Sequence, residues 1–130
     1  EPGLTVSADP DKLARVFNNL FKNAAAYGYE NTAIQARAQR QEDQVVISVR
    51  NQGPRIPPRQ LELIFEKFYR MDAARSTNAG GAGLGLAIAK QIVELHGGSI
   101  SAQSDNQFTV FTVFLPLEDP DPPEPLSYDL

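Results

Sequence analysis

Gly80-Gly81-Ala82-Gly83-Leu84-Gly85-Leu86 runs straight into Ala87-Ile88-Ala89-Lys90-Gln91-Ile92-Val93-Glu94-Leu95, and this stretch decides the fold. Four glycines within six residues lose a large backbone entropy on folding, so the cluster needs a compensating use. Glycine lets main-chain N–H groups come close to a ligand, and a helix N-terminus favours an anion at that point. A flexible loop that happens to precede a helix is the competing reading of the glycines alone. Spacing removes two phosphate-binding patterns. There is no Gly-x4-Gly-Lys-Ser/Thr, since Lys90 comes five residues after Gly85 and is followed by Gln91. The Gly-x-Gly-x-x-Gly of dinucleotide folds also fails, because the glycines fall at 81, 83 and 85.

Downstream of the glycines, Leu84, Ile88, Ile92 and Leu95 predict one helical stripe that stops at His96-Gly97-Gly98, with Gly97 as the terminator. His96 is the sole histidine and reads as a capping or packing residue at a helix C-terminus. Ser99 to Ser104 and Phe108 to Leu115, joined by a turn at Asp105-Asn106, predict a hairpin. From Pro116 to Leu130 the chain has five prolines and only acidic charge, which predicts a disordered or loosely attached tail.

Upstream of the glycines, Met71 to Ala79 is small, polar and weakly periodic, and reads as a mobile loop hinged by them. Phe65-Glu66-Lys67-Phe68-Tyr69-Arg70 sets two phenylalanines three residues apart, a packing feature. Asn51-Gln52-Gly53-Pro54-Arg55-Ile56-Pro57-Pro58 ends a strand and predicts a helix from the prolines through Leu61, Leu63, Ile64 and Phe65. That motif is an ordinary turn, or a polar side chain beside a glycine that reads the edge of a planar ligand.

Nearer the N-terminus, Leu4-Thr5-Val6 reads as a short strand, and Asp9-Pro10 as an N-cap followed by proline at the first helical position. A helix from Pro10 to about Tyr27 would place Leu13, Val16, Phe17, Leu20, Phe21 and Ala24 in the core. Asn18, Asn19 and Asn23 are unusual within it, because asparagine favours caps and turns. Asn19 and Asn23 lie four apart on one side of the helix. They form either a solvated face or a pair of neutral oxygen donors, and an amide oxygen can coordinate Mg2+ without adding charge beside phosphates. Gly28 ends the helix. Thr32 to Arg40 predicts a half-buried strand, Gln41-Glu42-Asp43 a turn, and Gln44 to Arg50 its antiparallel partner.

The 130 residues form one domain, with 42% hydrophobic and 22% charged residues and no cysteine. No disulfide framework is possible, which fits a reducing compartment. No apolar run approaches the ~20 residues that span a bilayer. The net charge of −4 resides in the tail, whose Glu118, Asp119, Asp121, Glu124 and Asp129 leave 12 basic against 11 acidic side chains elsewhere. No clustered basic face for nucleic acid is visible.

The order of these pieces strongly resembles the ATP-binding catalytic domain of sensor histidine kinases. That family's N, G1, F, G2 and G3 boxes appear in turn as Asn19-Leu20-Phe21-Lys22-Asn23-Ala24, Asn51 to Pro57, Phe65 to Arg70, Gly81 to Leu86, and His96-Gly97-Gly98-Ser99-Ile100. The match spans roughly residues 4 to 115, and within the family the chain looks most like the glycopeptide-resistance (VanS-like) sensors. The resemblance implies an α/β (α+β) two-layer sandwich of the Bergerat type, a mixed and largely antiparallel sheet with three helices on one face. The catalytic domain would be residues 1–115 and the acidic tail 116–130.

It implies ATP and Mg2+, with Asn23 as metal ligand and Asn19 beside the metal and phosphates. Tyr27, Asn51, Gly53 and Ile56 would serve the adenine end. Gly81, Gly83 and Gly85, flanked by Leu84 and Leu86, would give backbone donors for phosphate, and Phe65, Phe68 and Arg70 would anchor and orient a lid. Two positions depart from the family pattern. Asn51 stands where an aspartate is usual, replacing a charge-assisted bond with a neutral one, and Ala26 stands where a Lys or Arg is common.

The activity implied is transfer of the ATP γ-phosphoryl group to a histidine on a dimerisation domain elsewhere in the full protein. The partners implied are that domain and a response regulator, and the location is the cytoplasmic part of a membrane-anchored, dimeric sensor. A gyrase-, Hsp90- or MutL-like ATPase of the same fold would need a water-activating glutamate on the asparagine helix, where Asp11 is the only acid. A nucleotide-independent regulatory module is the other alternative.

Overall fold

The computed structural model describes residues 8–67 and 85–117. The expected strand at Leu4–Val6, the loop Met71–Ala79 and the acidic tail lie outside those residues, apart from the tail's first two positions.

Helix α1 runs from Pro10 to Tyr27. Asp9 caps it through a carboxylate that accepts from the N–H groups of Asp11 at 3.0 Å and Lys12 at 3.3 Å, satisfying two donors that the first turn leaves open. Its buried line is Val16, Leu20 and Ala24, with Leu13 and Phe17 partly covered. Phe21, expected in the core, is 38% exposed. It sits about 100° round the helix from Leu20, at the flank of the stripe rather than its centre.

Strands β1 (Gln35–Gln41) and β2 (Gln44–Gln52) form the first hairpin, turning through Glu42 at a φ of 59°. β1 starts three residues later than expected. Thr32 is held in a turn, its hydroxyl donating to the Tyr29 carbonyl at 2.6 Å, and Asn31 takes a φ of 63°. β1 is also almost wholly exposed rather than half-buried. Among the described residues it is an end strand of a sheet ordered β1-β2-β4-β3, and the described helices pack on the other three strands.

The helix expected after Pro57 breaks in two. Helix α2 covers only Pro58–Leu61, and a 3-10 turn spans Leu63–Phe65 and buries Ile64 and Phe65. Helix α3 (Gly85–Leu95) is followed by the second hairpin, β3 (Ser99–Ser104) and β4 (Phe108–Pro116). Asp105 makes the turn between them by accepting from the N–H groups of Gln107 and Phe108, both at 2.8 Å. α3 ends as expected, with Gly97 at a φ of 80°. Its N–H donates to Glu94 and that of Gly98 to Val93, both at 3.0 Å. This left-handed closure satisfies two terminal carbonyls and favours glycine.

The buried face of α3 differs from the expected stripe. Leu86, Ala89, Ile92 and Val93 are buried, Ile88 is partly covered, and Leu95 is 72% exposed. The three described strand pairings are all antiparallel. α1 and α3 pack on each other and on one face of the sheet. The core between the layers includes Val49, Phe111, Val113 and Leu115 from the sheet, and Phe65 meets Phe111 edge-on at 6.1 Å. Among the described residues the arrangement is the two-layer sandwich that the family resemblance implies.

Candidate functional site

The end of α1, the end of β2 and the start of α3 converge. At the C-terminus of α1 the chain turns at Gly28, and the N–H of Tyr29 donates to the carbonyl of Gln52 at 2.8 Å. The contact is tight. A Cβ on Gly53 would stand 2.9 Å from the carbonyl oxygen of Tyr27, and one on Gly28 would stand 3.1 Å from the amide nitrogen of Asn51. Glycine at these two positions is what lets helix and strand close over Asn51. Asn51 is 5% exposed, and its carboxamide makes one long bond among the described residues, donating to the Gln52 carbonyl at 3.4 Å.

Sheet register builds outward from that side chain. Asn51 pairs with Thr109 on β4, and Thr109 with Ser104 on β3. Side chains opposite one another share a face, so the three form a polar row on the helix-covered side. Thr109 is 3% exposed, and its hydroxyl lies 2.8 Å from that of Ser104. Ser104 also accepts from the Ile56 N–H at 2.9 Å. Ile56 itself is buried in the core cluster. Thr109 and Ser104 have no local sequence signal, because only the cross-strand register brings them beside Asn51.

On the other side, Asn19 donates its amide to the carbonyl of Gly85 at 3.0 Å. This ties α1 to the first residue of α3. Asn23, one turn further along, is half-buried, and its side chain has no hydrogen-bond partner among the described residues. Tyr27 is also half-buried. Phe65 is a core anchor, with the ammonium of Lys90 at 6.0 Å from its ring centre. Leu86 is buried in the first turn of α3. The structure thus brings Asn19, Asn23, Tyr27, Asn51, Gly53, Ile56, Gly85 and Leu86 to the α1–β2–α3 region. Phe68, Arg70, Gly81, Gly83 and Leu84 lie outside the described residues.

His96 bridges the helices at the far end. The Asp9 N–H donates to its Nε2 at 3.1 Å, which makes that nitrogen the acceptor. Nδ1 therefore carries the proton and donates to the Ile92 carbonyl at 2.8 Å. Asp11, the only acid in α1, lies eight residues from Asn19, about 12 Å along the axis. No carboxylate of this helix stands beside the asparagines. Two cavities lie away from this region. One of about 590 Å3 sits on the uncovered sheet face beside Arg37, Ser48, Arg50 and Val110. The other, of about 360 Å3, lies between Phe65, Lys67 and α3.

Comparison with known proteins matches residues 8–119 to the histidine kinase-, DNA gyrase B- and HSP90-like ATPases. The chain belongs to that family. Within it the likeness is to sensor histidine kinases. Over 113 residues the chain is 58% identical to the sensor protein VanS of Enterococcus faecium, covering 87% of this chain and 29% of that protein. This agrees with the expected subgroup. It is 40% identical to the sensor histidine kinase WalK of Bacillus subtilis, covering 89% of this chain and 20% of WalK. The chain spans less than a third of either relative. Among solved structures, the nucleotide-free catalytic domain of histidine kinase ThkA superposes with a TM-score of 0.77 at 33% identity, covering 89% of this chain and 73% of that one. Full-length ShkA in complex with AMPPNP superposes with a TM-score of 0.79 at 28% identity, over 95% of this chain and 25% of ShkA. The fold is that of a histidine-kinase-type ATPase catalytic domain.

Proposed function

We propose that this chain binds ATP between α1, the end of β2 and the glycine stretch, and passes the γ-phosphoryl group to a histidine on a dimerisation domain of the same protein. The observation that carries the reading is Asn51, a carboxamide buried to 5% exposure with, among the described residues, a single bond at 3.4 Å. A buried polar group with so little satisfaction is costly unless a ligand completes it. Its oxygen can accept from the exocyclic amine of adenine while an amide hydrogen serves a ring nitrogen. Gly53, Tyr27 and Ile56 border that position.

Phosphate would lie toward α3, on the main-chain donors of Gly81, Gly83 and Gly85, the last of them flanked by Leu84 and Leu86. Phe65, Phe68 and Arg70 would set the lid. A divalent ion suits Asn23 better than a carboxylate cage. No group of three or more His, Asp or Glu residues is placed to hold a metal among the described residues, whereas Asn23 offers a half-buried carboxamide without a protein partner there. Mg2+ commonly takes one or two protein oxygens and completes its shell with phosphate and water, and when bound it would neutralise charge on the phosphates. Asn19, already tied to Gly85, would fix the metal end of the cleft. The chain's contribution is positioning and electrostatic preorganisation, the terms that dominate phosphoryl transfer.

The acceptor must come from elsewhere. His96 is the sole histidine, and both its ring nitrogens are engaged. The nucleophile therefore belongs to another domain of a dimeric sensor, with a response regulator downstream. No described helix is long and apolar enough to cross a membrane. The unit would work on the cytoplasmic side of a membrane-anchored protein, without nucleic acid. The tail, expected from 116, would lie outside the catalytic unit only beyond Leu117, since Pro116 closes β4 and the Leu117 N–H donates to the Asp43 carbonyl at 2.9 Å.

Calorimetric titration with a nonhydrolysable ATP analogue, with and without Mg2+, tests the reading. Binding should tighten with Mg2+, and Asn23→Ala should lose most of that gain. Unchanged Mg2+ dependence in the variant refutes the metal assignment. No binding at millimolar nucleotide favours a docking module, and sustained ATP hydrolysis by the isolated chain favours a gyrase-type ATPase.

A further inference from the structure

After Gln52, the last residue of β2, the chain leaves the sheet. Pro54 and Pro57 carry no N–H, and the bond that ties this segment's main chain back to the sheet is that of the Ile56 N–H, which donates to Ser104 at 2.9 Å. Ser104 is not free to drift, because its hydroxyl is also paired at 2.8 Å with that of Thr109, itself 3% exposed. Ile56 is 7% exposed within the core. Its side chain therefore resists movement while its main chain is pinned across the sheet.

The hydroxyl pair holds two O–H donors and uses one internally. Removing the Ser104 oxygen would strand the Ile56 N–H and take a partner from Thr109, which stands opposite Asn51. None of these contacts reaches Asn23, Asn19 or Gly85, at the other end of the cleft. We infer that Ser104 is a positioning residue for the nucleotide base: it pins Ile56 and so sets the floor against which Asn51 meets adenine. The inference rests on the base-reading role proposed for Asn51.

The test compares two probes on the whole chain, each with Mg2+: a nonhydrolysable ATP analogue and inorganic tripolyphosphate, which has no base. Ser104→Ala should weaken the analogue about tenfold, the loss expected when one buried hydrogen bond is broken and its donor stranded. Tripolyphosphate affinity should stay within about twofold of wild type on the same scale. Ser104→Thr keeps the hydroxyl and should restore the analogue's affinity. If the alanine variant does not fold, Ser104→Cys, with its weak acceptor, should show the same selective loss. Equal loss of both probes means a merely structural role and overturns the inference, as does an alanine variant that binds like wild type. A wild type that binds the analogue no better than tripolyphosphate overturns the base reading of Asn51 and this inference together.

Discussion

Replacing Gly53 with alanine puts one methyl group where α1 and β2 close on each other. The added carbon would stand 2.9 Å from the Tyr27 carbonyl oxygen, 3.2 Å from the Asn51 amide nitrogen and 3.2 Å from the Gly28 Cα. Two of these neighbours are main chain and cannot rotate away, so helix end and strand end must separate by roughly half an ångström to reach ordinary contact. The Tyr29–Gln52 bond at 2.8 Å spans the same gap and lengthens with it. Overpacking of this kind costs about 1–3 kcal/mol, and a weakened hydrogen bond adds a fraction of one more. For a domain of this size that lowers the melting temperature by roughly 4–12 °C. Gly85→Ala is the control for stability. Among the described residues its Cβ would meet nothing closer than Asn19 at 3.8 Å, and alanine in a helix gains up to about 1 kcal/mol over glycine. Thermal and urea unfolding of both variants, with nucleotide titration of Gly53→Ala, measure the effects. Gly53→Ala should also bind the ATP analogue roughly tenfold more weakly, because Asn51 is displaced. A Gly53→Ala protein as stable as wild type, or a Gly85→Ala protein less stable than Gly53→Ala, would refute the close-packing argument.

Asn51→Asp should tighten binding of the ATP analogue several-fold by calorimetry, since a charge-assisted bond to the adenine amine replaces a neutral one; weaker binding would show that burying the charge dominates. Asp105 is held below the ordinary carboxylate range by the N–H of Phe108 and then that of Gln107. Because its folded pKa is depressed, its contribution to stability is present above the unfolded pKa and is lost as pH falls through the folded one. Urea unfolding should therefore show Asp105→Ala to be less stable than wild type at neutral pH, with the difference shrinking in acid, and a pH-independent difference counts against this. His96→Ala removes the acceptor of the Asp9 N–H and the donor to Ile92, and should cost about 1–2 kcal/mol in urea unfolding, leaving Mg2+ dependence intact.

Much of the fold is legible where the deciding signal is local. Asp9-Pro10 marks the start of α1, Asp105 the second hairpin and Gly97 the end of α3, because each is a side chain or φ angle acting on its immediate neighbours. The errors arise where the answer depends on what lies opposite. α3 gathers Lys90, Gln91 and Glu94 on one side, but the apolar arc opposite them spans about half of the helix, so periodicity alone does not fix which part of that arc is buried. Contact with α1 and the sheet selects Leu86, Ala89 and Val93 and leaves Leu95 outside. The alternation in β1 suggests one covered face, yet the described helices pack on β2, β3 and β4. The box motifs single out Asn19, Asn23 and Asn51 as candidates, but Ser104 and Thr109 join the candidate site only through the pairing of strands more than fifty residues apart in the chain, Asn51 with Thr109.

The strand order β1-β2-β4-β3 also governs how the chain emerges from a ribosome. Each hairpin can zip as soon as its own turn is made, but the sheet closes only when β2 meets β4, a seam that runs from Gln44–Pro116 to Gln52–Phe108. Until Pro116 has been synthesised, the inner edge of β2 stays open and unpaired, a template for pairing with another nascent chain. A truncation that trims the end of β4 therefore unzips the centre of the sheet rather than its margin.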